Sequence, residues 1–420
     1  MSNFFVALAV FVITVVGALF TVPYFIDWNG YRGVFEEEAS RLLDREVRVG
    51  GAVNLHLLPT PYFRFEKVRI ADASVNLEEP FFRTDSITVK LSVPPLLRGA
   101  VEANEIEFQR PVLRLALNDK GGWNWQTFGQ VLSNAPYLPT NVALTSLKIK
   151  DGVLAVHGIN GAERARIEGL DGELSSPSLD GPYRFRGTYG PAGAEREIRL
   201  STAKAEGDGS VRFKVALRLG DVGSVYNLDG RMLDLMGKSR MDGELTARLP
   251  VASIWQPSPG RGGSSSHAKG AVAEAKAQAS DVAFDLKANV TADTSTATLS
   301  DLALSFEQDG QPQLMSGVVK AAWRDALAVD MNLTSRWLDL DRIAGTTEHT
   351  SPLDSIVPLA LRLRDLLPAE GRSRASFTVD QANIGREAVS GLRLALVRSR
   401  DKLEVEELRL GMPGGSRGEL

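Results

Sequence analysis

The sequence predicts a mainly β protein, in which an N-terminal transmembrane helix leads into a body of antiparallel strands with a few short helices. Three observations carry that prediction. Residues 4–22 form an almost unbroken apolar run, hydrophobicity alternates with a period near two from Val47 onward, and Asp-Gly turn dipeptides recur along the alternating region.

Residues 1–26 contain no charged side chain, and within 4–22 only Thr14 and Thr21 are polar. Nineteen helical residues span about 28 Å, the thickness of a bilayer's hydrocarbon core. Pro23 ends the run, with Tyr24 and Trp28 where interfacial aromatics belong. A cleaved secretory signal is the alternative. The missing basic n-region, the length of the run and the lack of a small-x-small cleavage site favour a retained anchor over residues 1–26. The few residues before it carry no Lys or Arg, so charge does not orient it.

Tyr31, Val34, Phe35, Ala39, Leu42 and Leu43 then recur at helical spacing and predict a short amphipathic helix. Such a helix either lies on a membrane or covers the edge of the next fold, and the second is commoner. Strands follow. Ile87, Val89 and Leu91 alternate with Ser86, Thr88 and Lys90; Val211, Phe213 and Val215 alternate with Arg212 and Lys214; Val282 and Phe284 begin another such stretch. Between them, Asp151-Gly152, Asp171-Gly172, Asp180-Gly181, Asp229-Gly230, Asp242-Gly243 and Asp309-Gly310 read as hairpin turns, which imply antiparallel pairing.

A weak repeat, Leu170-Asp171-Gly172-Glu173-Leu174 echoed by Met241-Asp242-Gly243-Glu244-Leu245, suggests an elongated array. Residues 256–280 are rich in Gly, Ser, Ala and Pro and read as a linker or loop. These signals divide the chain into an anchor (1–26), a helix-plus-strand domain (27–136), a repeating β region (137–255), the linker (256–280) and a C-terminal β region (281–420). One-sided strands must either close on each other as a sandwich, the commoner outcome, or leave an apolar groove open. A groove would be an exposed apolar patch implying an apolar ligand.

Nothing in the sequence assembles an active site. Cysteine is absent, which excludes thiolate metal sites, redox motifs and cysteine nucleophiles. His56, His157, His267 and His349 have no ligand spacing. Adjacent carboxylates such as Glu36-Glu37-Glu38 point about 100° apart on a helix and read as solvated surface. Neither a phosphate loop nor a GxSxG elbow occurs. Net charge is -4 with acids and bases interleaved, so nothing points to nucleic acid. The expectation is a non-enzyme without cofactor or metal, whose agents are apolar strand faces: Ile87, Val89, Leu91, Val211, Phe213, Val215, Val282 and Phe284.

The order of several phrases resembles the AsmA family of bacterial envelope proteins, related in architecture to TamB and to chorein-type lipid-transfer proteins. After the uncharged run come Tyr31-Arg32, a helix and a short strand at Val47–Val49. Leu57-Leu58-Pro59-Thr60-Pro61, Leu96-Leu97-Arg98-Gly99, Arg110-Pro111-Val112-Leu113 and Gly122-Trp123-Asn124-Trp125 follow. Leu338-Asp339-Leu340-Asp341-Arg342 and Met412-Pro413-Gly414-Gly415 are looser matches, and because further strands follow such a phrase in the family, the end at Leu420 reads as a fragment or a truncated frame. The resemblance implies an inner-membrane anchor, a periplasmic body, and an elongated, twisted antiparallel sheet forming an open apolar groove. It also implies phospholipid as the ligand moved between inner and outer membrane. The alternative it carries is a scaffold for outer-membrane protein assembly.

Overall fold

The computed structural model describes residues 27–419, except 57–59, 73–78, 93–102, 118–121, 127–143, 159–160, 179–180, 220–222, 235–238, 251–282, 309–310, 325, 345–350, 353–354, 357–359, 361–362, 365–366, 369–370, 401 and 413–415. The anchor run, the 256–280 segment, Val282 and the Leu96–Gly99 phrase therefore lie outside the described residues. Two compact units result: Met1–Val211 with Leu235–Gly237, and Arg212–Asp234 with Lys238–Leu420.

The first unit opens with a 3-10 turn, Trp28–Tyr31, whose N-cap Asp27 accepts a hydrogen bond from the Asn29 N–H at 3.1 Å. Helix α1 (Arg32–Leu43) runs on from it and stops at Asp44, which adopts a left-handed φ of 50°. Strands β1 (Val47–Val49) and β2 (Val53–His56) then lie end to end along β3 (Tyr62–Ile70), antiparallel to it. Next comes β4 (Phe82–Leu91), followed by a second broken strand, β5 (Ala103–Gln109) with β6 (Val112–Ala116). The break has a local cause: Arg110 sits at φ 46° and Pro111 has no N–H to give the ladder. Strands β7 (Leu144–His157), β8 (Glu163–Ser176), β9 (Arg184–Tyr189) and β10 (Arg196–Thr202) complete the succession.

In the second unit, β11 (Val211–Leu219), whose first residue belongs to the first unit, precedes β12 (Ser224–Leu233). Strands β12, β13 (Arg240–Pro250), β14 (Ala283–Ala292), β15 (Thr296–Gln308), β16 (Gln311–Ala322) and β17 (Ala328–Asp339) form an antiparallel meander. Helix α2 (Leu340–Ala344) and a segment in which Ile356, Ala360 and Leu363 are helical precede β18 (Arg372–Ile384). Strands β19 (Glu387–Ser399), β20 (Lys402–Gly411) and β21 (Arg417–Glu419) end the described chain.

The mainly β prediction holds, with two corrections. Pairing is not uniformly antiparallel, because β5 and β6 run parallel to β7, and β17 runs parallel to β18. Both junctions follow a connection long enough for a crossover, which a parallel pair requires.

Most of the Asp-Gly pairs are also not turns. Asp151-Gly152, Asp171-Gly172, Asp229-Gly230 and Asp242-Gly243 fall inside β7, β8, β12 and β13. In-register glycines explain two of these strand pairs. Gly172 stands opposite Gly187, and Gly230 opposite Gly243. An aromatic ring lies against each pair: a Cβ on Gly172 would come within 2.5 Å of Phe185 Cζ, and one on Gly230 within 2.9 Å of Phe213 Cζ. Glycine here makes room for a ring across the sheet, as aromatic residues do when they rescue strand glycines. The LDGEL/MDGEL echo is thus a repeated strand device. Asp180 and the Asp309-Gly310 pair lie outside the described residues.

Among the described residues, buried apolar side chains gather into one cluster in the first unit and three in the second. In the first, Val47, Val49, Val53 and Val68 are closed over by Trp28, Phe35, Ala39 and Leu43. Helix α1 also blocks the sheet edge, since Ser40 Oγ, Glu36 Oε1 and Asn29 Oδ1 accept hydrogen bonds from the N–H groups of Val47, Val49 and Val53 at 2.9, 2.7 and 3.0 Å. Just beyond, buried Arg45 donates to the carbonyls of Ala71 and Asn124 at 3.2 and 2.6 Å and to Asp72 at 3.2 Å, with its guanidinium 5.3 Å from the Phe81 ring centroid. Asn124 in turn receives the Ala116 N–H at 3.0 Å. This clasp joins the Gly122-Trp123-Asn124-Trp125 phrase to the segment after α1.

In the second unit, Phe284, Phe306, Leu338, Val379, Ile384 and Leu392 pack beneath Ile356, while Ala360 and Leu363 cover Leu394 and Leu396. Ile356, Ala360, Leu363 and Leu367 are spaced by four, three and four residues, one helical face. Buried Arg398 donates to the Leu367 carbonyl at 2.6 Å and to that of Arg364, capping the end of this stretch with a cation.

Candidate functional site

The registers of the first unit align apolar side chains into continuous rows across the strands. One row is Phe63, Val89, Ile106, Leu147, Leu174, Phe185 and Leu200. A second is Phe65, Ile87, Phe108, Ile149, the glycine pair Gly172 and Gly187, and Ile198. Residues facing each other in register share a face, so these rows make one apolar surface. The first row makes six inter-strand steps of about 4.8 Å, or about 29 Å in all.

Coverage of this surface is uneven. At β3 and β4 it passes under α1, where Trp28 and Phe35 meet the Phe63 ring edge-on at centroid distances of 5.9 and 5.8 Å. From β5 to β10 every side chain of the first row is only half-buried, and none belongs to a buried core among the described residues.

The opposite face of the same strands is charged. Its matching row reads Arg64, Thr88, Glu107, Lys148, Glu173, Arg186 and Arg199. Glu105 bridges Lys90 and Lys148 at 2.6 Å each, and its hydrogen bonds with Lys148 and then Lys90 hold its carboxyl below the usual carboxylate range. One strand set therefore presents a salted side and an apolar side.

Comparable rows cross the second unit. Gly243, Val290, Leu299, Val319, Met331, Ala375 and Leu396 align, as do Leu302, Gly317, Leu333, Phe377 and Leu394. Here the face is more deeply buried, and the Phe284 and Phe306 rings meet at 4.7 Å.

The structure distributes the sequence-derived candidates as follows. Ile87 and Val89 occupy the two rows of the first unit, and Leu91 is buried at the end of β4. Val211 and Val215 are half-buried on β11, Phe213 is buried against the Gly230 and Gly243 pair, and Phe284 belongs to the core of the second unit. Val282 is outside the described residues. Sequence reasoning passed over Phe63, Ile106, Leu147, Leu174, Phe185 and Leu200. Their signal was present as short alternations such as Glu105-Ile106-Glu107-Phe108 and Leu147-Lys148-Ile149-Lys150.

No group of three or more His, Asp or Glu that could hold a metal occurs among the described residues, and no described helix is long and apolar enough to cross a membrane. His157, at the end of β7, has an Nδ1 buried without a hydrogen-bond partner, and desolvation followed by nearby Arg114 lowers its pKa from the ordinary histidine value.

Fold and face together define a class: β-sheet proteins in which, as in the first unit, one set of strands carries an apolar side and a charged side, with a helix over the start of the apolar side. The particular family follows from the whole sequence, since the AsmA family model matches residues 3–335, and the chain belongs to the AsmA family. No curated protein and no solved structure matches it.

Proposed function

We propose that this chain is a membrane-anchored envelope protein that binds phospholipid along its apolar strand face and moves it between inner and outer membrane. Residues 4–22 serve as the inner-membrane anchor and the body stands in the periplasm. The observation that carries the reading is the row from Phe63 to Leu200, half-buried, apolar and continuous over about 29 Å. Burying a methylene is worth about 0.8 kcal/mol, so an acyl chain of about sixteen carbons gains on the order of 12 kcal/mol as an upper bound. That gain offsets much of the cost of exposing the acyl chain to water between two membranes. The charged reverse face keeps the same sheet wetted.

The test is lipid co-purification. A body lacking residues 1–26, purified without detergent, should carry phospholipid detectable by mass spectrometry. A lipid-free body that instead crosslinks to outer-membrane assembly proteins through its charged face would replace this reading with the scaffold.

A further inference from the structure

The helix that begins the body uses only part of its circumference. Phe35, Ala39 and Leu43 close the core of the first unit, and Asn29, Glu36 and Ser40 are tied to the edge strands. Its orientation is therefore fixed, and what it turns outward is fixed too. Tyr31 is 53% exposed and Val34 58% exposed, high values for large hydrophobic side chains in a folded unit. They are three residues apart, on one face. Gly30 and Gly33 flank them with open space around their Cα atoms, so the two side chains stand proud of the surface. Arg32 lies between them. It makes no ion pair among the described residues, its Nη2 reaches only Asn29 Oδ1 at 3.4 Å, and its Nε is buried without a partner.

An apolar pair beside a half-buried cation that makes no ion pair among the described residues suits the headgroup region of a phospholipid bilayer, where tyrosine keeps a wet hydroxyl above a greasy ring. The sequence supplies the distance. Only eight residues separate Val22, the end of the apolar run, from Tyr31, and the nine steps between the two span at most about 30 Å.

We infer that the surface made by Tyr31, at the end of the 3-10 turn, and Val34, in the first turn of α1, is seated in the surface of the anchoring bilayer. The inference rests on residues 4–22 being the membrane anchor. Trp28 and Phe35, on the inward side of the same turn and helix, cover Phe63 where the first apolar row begins, so this seating holds the start of the rows one helix diameter, about 10 Å, from the bilayer surface.

Because the chain has no cysteine, a single introduced thiol takes one label. The full chain carrying Val34→Cys or Tyr31→Cys would be labelled with bimane and reconstituted into vesicles of phosphatidylethanolamine and phosphatidylglycerol doped with headgroup-spin-labelled lipid. Quenching several-fold stronger than for Thr188→Cys, an exposed site on the charged face, is expected; equal quenching at the sites overturns the inference. Adding Val34→Asp to the Tyr31→Cys protein should lower its quenching towards the Thr188→Cys level, while the protein stays in the membrane fraction. Unchanged quenching would mean that the anchor alone holds Tyr31 near the surface, and would overturn the seating of the helix. Recovery of a shortened chain in the soluble fraction would overturn the inference together with its premise. A lipid-free body beside strong quenching at Val34 would remove the transfer reading and leave the seating supported.

Discussion

A single carboxylate placed on either side of one strand separates the work of the two faces. Val89 stands in the apolar row between Phe63 and Ile106, and its neighbour Thr88 stands in the charged row between Arg64 and Glu107. Val89 is half-buried, so Val89→Asp leaves the new charge partly hydrated in the lipid-free protein and should cost no more than about 2 kcal/mol of stability. A lipid lying along the row would strip that water away. Desolvating an unpaired carboxylate costs several kcal/mol, and each 1.4 kcal/mol is about tenfold in affinity, so lipid occupancy should fall by at least about a hundredfold. Thr88→Asp adds the same charge between one cation and one anion, and should change neither folding nor occupancy beyond about twofold. The assay is phospholipid per protein by mass spectrometry, on variants matched by circular dichroism. Equal occupancy in the two variants would refute the assignment of lipid to this face.

Four further outcomes are expected. Arg45→Ala removes the cation that ties Asp72 and the Asn124 carbonyl, takes the ion-pair partner from a mostly buried carboxylate, and should cost about 3 kcal/mol in urea unfolding. Gly230→Val places a Cβ within 2.8 Å of the Asp242 carbonyl oxygen and against Phe213, and should lower thermal stability by more than about 2 kcal/mol, with Phe213→Ala partly relieving the clash. The pKa of His157 is lowered in the folded state, so the unfolded chain binds its proton more readily. Its contribution to stability is complete above the unfolded value of 6.5 and declines as pH falls from there through the folded value, a slope that His157→Leu should flatten in pH-dependent melts. Glu105 behaves likewise lower down. Its ion pairs contribute above the ordinary carboxylate value of 4.5 and are lost on further acidification, and Glu105→Gln should remove that step.

How much of this was legible in the sequence depends on the kind of signal. Period-two alternation located the strands β4, β11 and β14 from residues such as Ile87, Phe213 and Phe284, because a side chain's face is set locally by the pleat. The Asp-Gly pairs misled because a turn and a cross-strand glycine gap ask for the same residue. Only the partner decides, and Gly230 meets Gly243 through a register that no local pattern encodes. Parallel junctions were missed for a similar reason. Alternation at Ile106 and Leu147 says that both lie in strands, but not that the intervening segment returns the chain in the same direction. The first helix was half legible: Phe35 and Ala39 cover the sheet as expected, whereas Tyr31 and Val34, on the same predicted apolar face, do not.

The candidate site was hard to see for a different physical reason. A catalytic centre concentrates its free energy in a few groups whose identity and spacing leave a motif. An apolar row spreads it over many interchangeable side chains, each worth no more than its buried area, so Leu174 could be Ile or Val and serve as well. The sequence records such a surface only as one-sidedness repeated strand after strand. Two kinds of position escape that interchangeability. The glycine pairs are fixed because a ring must fit over them, and α1 is fixed because one helix must at once cover a core and block a sheet edge. The proposed bilayer seat would be a third demand here: it accounts for an apolar side chain at Val34, 58% exposed, and for the exposed side of Tyr31, whose ring meets Trp28 at 6.0 Å.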